Sequence, residues 1–261
     1  MSAPAGDGAV HYRVEGGIAH LTFDRPQARN AMTFAMYEAL AEGLARIEAD
    51  STVRVAVLRG AGGQAFVAGT AIEQFSGFTG ADGVAYEARI DAYVAGLEAC
   101  RVPTIAVIEG FAVGGGLAIA NACDIRIAQG GARFGVPIAR TLGNCLSPAN
   151  LRRLTATLGA SMVARMLLLA EMPSAETLAP LGYLAAVIDA DALDAEVERT
   201  CARLLSHAPV TMRVTRAMLR RLAADANAEA PDLIAECYGS RDFAAGVEAF
   251  LAKRPAVWTG R

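Results

Sequence analysis

The sequence predicts an α/β fold with a largely parallel sheet, followed by a helical C-terminal part. In the first half, short apolar strands predicted at residues 53–58, 104–108 and 125–128 are separated by helical stretches. Such alternation is typical of βα units whose parallel strands are buried. From Pro148 onward helical patterns dominate, and prolines interrupt them.

The N-terminal region carries a hairpin and then a helix. Residues 12–14 and 18–23 are strand-like and flank Gly16-Gly17, a pair that permits a tight turn. Apolar residues then recur at helical spacing from Tyr37 to Ile47, and Thr33 stands in front of them as a candidate cap.

The C-terminal part shows two apolar stripes at helical spacing. One comprises Leu193, Val197, Cys201 and Leu204, and the other comprises Phe243, Val247, Phe250 and Leu251, with Ser240 as a candidate cap. Because no flexible linker is present, we divide the chain into a core at residues 1–195 and a helical region at 196–261 that are closely joined.

Composition and charge exclude several classes of protein. Hydrophobic residues make up 54% and charged residues 20% of the 261 residues, which excludes a disordered chain. The longest uncharged stretch, residues 110–123, is too short to span a membrane as a helix. A formal net charge of −3 offers no basic field for nucleic acid, so we expect no nucleic-acid partner.

Cysteine and histidine usage indicates neither a disulfide framework nor a metal site. The five cysteines are dispersed, and only three histidines accompany them. Residues 1–8 lack the basic and apolar segments of a signal peptide. We therefore expect a reduced, cytoplasmic protein without a metal.

Two glycine-bearing segments are the main candidates for chemistry, since nucleotide-binding, serine-hydrolase and zinc-protease motifs are absent. Residues 65–72 follow the strand at 53–58, and residues 110–119 follow the strand at 104–108. Where two such turns meet, unpaired backbone N–H groups can form an oxyanion hole, a pair of donors aimed at one oxygen. The alternative for each segment alone is that glycine simply permits close packing of strand and helix.

Taken together, these segments resemble the crotonase family of enoyl-CoA hydratase/isomerase-like proteins. The resemblance rests on the order and spacing of residues 25–32, 68–70, 114–116 and 122–128, and on a C-terminal segment at 243–254. It covers residues 10–254. It implies a spiral of ββα units with a helical C-terminal trimerisation region, a homotrimer or dimer of trimers, and a coenzyme A thioester as substrate rather than a separate cofactor.

The resemblance also implies roles for particular residues. The amides of Thr70 and Gly115 would hold the thioester oxygen, with Gly114 beside them. The path of the adenine and pantetheine would be lined by Ala28, Arg29, Ala68, Gly69, Ala71 and Ile72. Phe250 and Lys253 would contact the nucleotide end, often from a neighbouring subunit, although an unengaged surface lysine is the alternative for Lys253.

The chain departs from the family pattern where hydratases carry two glutamates. The matching positions are Ala118 and Ile138, and neither side chain can carry a proton. Residues 138–147 could supply substitutes, and Ile138, Leu142 and Ser147 are expected to shape the acyl pocket. The polar candidates there are Arg140, Asn144, Cys145 and Ser147.

Structural roles are alternatives to catalytic roles for these groups. Ser147 precedes Pro148 and fits a helix N-cap better than a nucleophile. Glu73 and Glu109 are the nearest carboxylates we considered, and exposed or ion-paired structural roles are favoured for both. His207 is expected in a helix, facing the side of Leu204, and in a structural or solvated role.

The sequence thus predicts an acyl-CoA enzyme of hydratase/isomerase type, placed in the lyase class, that retains the oxyanion hole without the usual glutamates. Two alternatives stay open: decarboxylation of a malonyl-type thioester, which forms an enolate without a base, and a non-catalytic acyl-CoA-binding protein.

Overall fold

The computed structural model describes residues 8–261. The expectation that the N-terminus carries no signal peptide concerns mainly Met1–Asp7, which lie outside the described residues. The strands are β1 (Ala9–Glu15), β2 (Ile18–Asp24), β3 (Val55–Gly60), β4 (Val67–Ala68), β5 (Thr104–Ile108), β6 (Phe111–Val113), β7 (Ile125–Gln129), β8 (Arg133–Gly135) and β9 (Ala186–Ile188). The helices are α1 (Phe34–Ala49), α2 (Gly80–Ala99), α3 (Gly115–Ala122), α4 (Ile138–Thr141), α5 (Pro148–Leu158), α6 (Ala160–Leu168), α7 (Ala175–Leu178), α8 (Leu193–Leu205), α9 (Pro209–Ala224), α10 (Pro231–Tyr238) and α11 (Arg241–Leu251).

Successive strands are shared between two sheets. The larger sheet has the order β1-β2-β3-β5-β7-β9 and the smaller the order β4-β6-β8. Every pairing between these strands is parallel except that of β1 with β2. Each turn of the chain therefore gives one strand to each sheet and then a helix, as in β3-β4-α2, β5-β6-α3 and β7-β8-α4. This confirms the predicted α/β spiral of ββα units.

The N-terminal elements form as the sequence predicts. The hairpin pairs Glu15 with Ile18 across Gly16 and Gly17, whose φ angles are 57° and 81°. Helix α1 starts after Thr33, whose hydroxyl accepts a hydrogen bond from the Met36 amide. The strand predicted at 53–58 is shifted to Val55–Gly60.

The main core lies between the larger sheet and helices α1 to α3, and the opposite face of that sheet is covered by α8. On that face Val55, Val107 and Ile127 pack with Leu193 and Cys201 of α8. The boundary predicted between residues 195 and 196 falls within α8, so this helix joins the two predicted regions.

The C-terminal tail folds back onto the helices before it. Ser240 caps α11 through the Phe243 amide, as expected. The Trp258 indole donates a hydrogen bond to the Ser206 carbonyl at 2.9 Å, and the Asp242 carboxylate accepts from the amides of Thr259 and Gly260. The apolar stripe of α11 stays uncovered in the single chain, with Phe250 84% exposed.

Within residues 8–261, no helix combines the length and apolar character needed to cross a membrane.

Candidate active site

The two glycine turns lie side by side at the ends of paired strands. Strands β4 and β6 run parallel, with Ala68 opposite Val113, so Gly69 and Gly114 follow at the same level. Their φ angles are +91° and +55°, in a region of backbone conformation that residues other than glycine rarely adopt. The positive φ therefore accounts for glycine at both positions.

Each turn places a residue with an unpaired backbone N–H in the wall of one cavity. Thr70 and Gly115 both line that cavity, and no acceptor within residues 8–261 is hydrogen-bonded to either amide. Gly115 is the first residue of α3, where N–H groups have no partner inside the helix. Both residues are half-buried, and two donors at one cavity that the chain leaves unpaired can bind an electronegative atom of a ligand.

The approach of the two turns depends on Gly115 and Gly116 having no side chain. A Cβ on Gly116 would collide with the backbone carbonyl of Val67, and one on Gly115 would collide with the Tyr37 hydroxyl. Gly116 therefore allows α3 to contact β4, and Gly115 allows the Tyr37 phenol to lie beside the second turn.

Three hydroxyls form a chain behind the first donor. The Thr70 Oγ1 lies 3.0 Å from the Tyr37 hydroxyl and 2.9 Å from the Tyr86 hydroxyl. Burial raises the pKa of Tyr37 well above its usual value and raises the pKa of Tyr86 to about 12. Both phenols are therefore protonated at neutral pH and hold the Thr70 side chain as hydrogen-bonding groups rather than as bases.

The cavity has a volume of about 230 Å³ and a mainly apolar wall. It is smaller than the roughly 300–1,000 Å³ of sites that enclose a drug-sized ligand. Ala118 and Ile138, the two positions where the resemblance leads one to expect glutamates, both lie in its wall. The volume suits an acyl group and its thioester rather than a whole nucleotide.

One carboxylate lines this cavity among the described residues, and sequence reasoning missed it. Glu87 of α2 accepts a hydrogen bond at Oε2 from the Ser147 amide, 2.8 Å away. Burial raises its pKa and so does the nearby Asp91 charge, whereas the Ser147 hydrogen bond lowers it. The sequence places residues 75–93 at the acyl end of the pocket but predicts no structure for them, so no pattern singled out Glu87.

The predicted site residues divide into those that line the cavity and those that do not. The cavity wall includes Ala68, Gly69, Thr70, Ile72, Gly114, Gly115, Ile138 and Leu142, and also Asn144. Other predicted residues are Ala28, Arg29, Ala71, Ser147, Phe250 and Lys253, which are not in the wall.

The outlying residues are placed as follows. The Arg29 carbonyl accepts from the Ala68 amide, so Arg29 and its neighbour Ala28 run beside the first turn. Ala71 is buried directly after it. Phe250 and Lys253 are exposed at the end of α11, where the contacts of a neighbouring subunit would be needed for the implied role.

Most of the other polar candidates are exposed or have structural partners outside the cavity. Arg140 and Cys145 are exposed and outside the wall, and Glu73 is exposed. Glu109 accepts from Arg59 Nε at 2.6 Å. His207, expected in a helix, follows the end of α8, and its carbonyl accepts from Arg54.

Ser147 forms the expected N-cap of α5. Its hydroxyl accepts from the Asn150 amide at 3.1 Å and donates to Asp91 Oδ1 at 2.8 Å. We expect Ser147→Ala to lower the free energy of unfolding by about 1 kcal/mol, as for other lost caps, while leaving the backbone hydrogen bond to Glu87 in place. Urea unfolding measures the first effect, and an unchanged stability would contradict the cap.

A second cavity of about 440 Å³ lies on the α8 face of the larger sheet, and several of its charged groups have ion-pair partners. His11 is bonded to Asp24 at 2.7 Å, and Arg59 is bonded to Glu109 and Asp194. It contains neither glycine turn.

The two-sheet spiral and the cavity between two glycine turns define an α/β protein of crotonase-like class. Residues 13–261 match the family model described as enoyl-CoA hydratase/isomerase. The chain therefore belongs to the enoyl-CoA hydratase/isomerase family.

Individual relatives agree with this family. The chain is 30% identical over 246 residues to a short-chain-enoyl-CoA hydratase of Clostridium acetobutylicum, covering 92% of this chain and 93% of that one. It is 33% identical over 208 residues to an (E)-benzylidenesuccinyl-CoA hydratase of Thauera aromatica, covering 79% and 80%. A solved structure described as an enoyl-CoA hydratase/carnithine racemase of Magnetospirillum magneticum is 34% identical, with a TM-score of 0.89 over 97% of this chain and 96% of the other.

Proposed function

We propose that this chain is an enzyme of enoyl-CoA hydratase/isomerase type, in which the amides of Thr70 and Gly115 hold the thioester oxygen of an acyl-CoA and stabilise its enolate. The observation that carries the proposal is the pair of unpaired amides lining one cavity. The names of the relatives, which are hydratases of coenzyme A thioesters, support the substrate class.

The physical basis is electrostatic. When a thioester becomes an enolate, negative charge develops on its oxygen, and fixed N–H dipoles stabilise that charge without reorganising. One such donor is worth about 10²–10³ in rate. The apolar wall strengthens each interaction because it keeps water away from the developing charge.

The proposal extends to the reaction that follows formation of the enolate. Since Ala118 and Ile138 cannot transfer protons, a reaction that depends mainly on the amides is a second candidate. Decarboxylation of a malonyl-type thioester meets this condition, because departure of CO₂ leaves the enolate directly. The third candidate function is that of a binding protein that holds acyl-CoA without turnover.

We also propose a homotrimer or a dimer of trimers in the cytoplasm. The exposed apolar stripe of α11, including Phe250 and Leu251, supports contacts with further copies. Such contacts would bring Phe250 and Lys253 toward the nucleotide end of a substrate in a neighbouring subunit. The five cysteines are free, which fits a reducing compartment.

Two thioesters test the proposed function on the purified protein. We expect saturable binding of crotonyl-CoA and malonyl-CoA by calorimetry, with turnover of at least one. Loss of the absorbance of the conjugated thioester reports hydration, and release of CO₂ reports decarboxylation. Binding of both without turnover would assign the chain as a binder, and failure to bind either would overturn the proposal.

A further inference from the structure

We propose that Glu87 is the catalytic acid/base that removes and returns the proton on the substrate α-carbon. This inference rests on the proposed function, because it requires a thioester held by the amides of Thr70 and Gly115. It goes further by assigning proton transfer to a helix, α2, that carries neither glycine turn.

The position of Glu87 follows from the two residues that flank it in space. Its chain neighbour Tyr86 is bonded through its hydroxyl to Thr70, which supplies the first amide. On the other side, the Ser147 amide at the start of α5 donates to Glu87 Oε2. The carboxylate is thus anchored by one oxygen, and Oε1 has no hydrogen-bond partner in the part of the chain that the structure describes.

Among residues 8–261, no arginine, lysine or histidine forms an ion pair with Glu87. Arg153 of α5 forms ion pairs with Asp91 and Glu98, each at 3.0 Å, and not with Glu87. Asp91 lies one turn further along α2 and repels a second negative charge. Together with burial, this raises the pKa of the Glu87 carboxyl, although the Ser147 amide and the N-terminus of α5 partly oppose the rise. A raised pKa brings a carboxyl closer to the operating pH, which favours proton transfer.

The other groups in the cavity wall cannot replace it. Ala118 and Ile138 have no ionisable atom, and the pKa of Tyr86 is raised to about 12. Tyr86 is also bonded to Thr70. Of the cavity-lining residues that the structure describes, Glu87 alone can exchange a proton near neutral pH.

The proposed step is a reversible enolisation. The Glu87 carboxylate takes the α-proton, and the electron pair of the C–H bond becomes the carbon–carbon π bond of the enolate. The carbonyl π pair moves to the thioester oxygen, which the two amides stabilise. Return of a proton from the Glu87 carboxylic acid to the α-carbon restores the thioester and the carboxylate, so no other reactant is consumed.

A saturated thioester isolates this step. Butyryl-CoA has α-protons but no double bond to hydrate, so exchange of its α-protons in D₂O, followed by NMR, reports enolate formation alone. We expect Glu87→Gln to lower the exchange rate by about 10²–10⁴-fold, the usual contribution of an acid/base group. Its affinity for butyryl-CoA should be unchanged, since the amide oxygen of glutamine can still accept from Ser147.

Two further variants control for fold and for carboxylate chemistry. Glu73→Gln removes an exposed carboxylate outside the cavity wall and should exchange at the wild-type rate. Glu87→Asp keeps the carboxylate and should retain more exchange than Glu87→Gln. In the wild type the rate should rise with pH through the raised pKa of Glu87 and then level off, and Glu87→Gln should lack that rise.

The outcomes separate the two proposals. Wild-type exchange that persists undiminished in Glu87→Gln would overturn the role of Glu87 and leave the proposed function standing. Tight binding of butyryl-CoA by the wild type without exchange would also overturn the role of Glu87. No binding of butyryl-CoA would overturn the role of Glu87, and only failure to bind crotonyl-CoA and malonyl-CoA as well would overturn the proposed function.

Discussion

Replacing Gly115 by proline is expected to lower the rate of α-proton exchange by about 10²–10³-fold, because proline removes one of the two N–H donors. The first position of a helix tolerates proline, and Gly115 occupies that position in α3. The added carbon atoms would meet the Tyr37 hydroxyl, so the change is made in a Tyr37→Phe background. Exchange of butyryl-CoA measures the effect.

The matched control is Tyr37→Phe/Gly115→Ala. Alanine adds the same Cβ but keeps the N–H, so the difference between the two double variants reports the donor itself. Tyr37→Phe alone reports the loss of the hydroxyl next to Thr70. Equal rates in the proline and alanine variants would show that the Gly115 amide does not stabilise the enolate.

Gly116→Ala is expected to destabilise the fold by roughly 2–3 kcal/mol, within the range of overpacked cores. The new Cβ would collide with the Val67 carbonyl, a backbone atom that cannot rotate away. The higher helix propensity of alanine, about 1 kcal/mol, offsets only part of this cost. Urea unfolding followed by circular dichroism measures the change, and binding of butyryl-CoA should weaken because β4 leads into the first glycine turn.

Gly96→Ala is the matched control within α2. No atom lies within 4 Å of a Cβ built at Gly96, which is exposed, so alanine should stabilise the protein by about 0.5–1 kcal/mol. The free energy of unfolding is therefore expected to fall in Gly116→Ala and to rise in Gly96→Ala. A Gly116→Ala variant as stable as the wild type would mean that α3 and β4 can move apart without cost.

The fold was largely predictable because its strongest signals are local. A buried parallel strand is a short apolar run, and the run at Thr104–Ile108 has the predicted bounds. Hydroxyl caps such as Thr33 and Ser240 also act within three residues. Sequence patterns capture such interactions because both partners fall within one short window.

The site was only partly predictable, because its remaining members meet across long stretches of chain. Tyr37 and Thr70 are 33 residues apart, and Glu87 and Ser147 are 60 residues apart. The helix that carries Glu87 buries only Ile90, Val94 and Leu97 and contains two internal glycines, so its periodicity is weak. The glycine turns, by contrast, reveal themselves through the residue type that a positive φ demands.

The folded-back tail has a practical consequence for spectroscopy. The chain has a single tryptophan, Trp258, which lies on the tail and donates a hydrogen bond to Ser206 at the end of α8. The cavity wall, by contrast, contains Tyr86. Tryptophan emission will therefore report whether the tail is docked, and it will be insensitive to events confined to the cavity. Tyrosine absorbance will respond when a ligand disturbs the hydroxyl chain, so the two optical signals observe separate parts of the molecule in one sample.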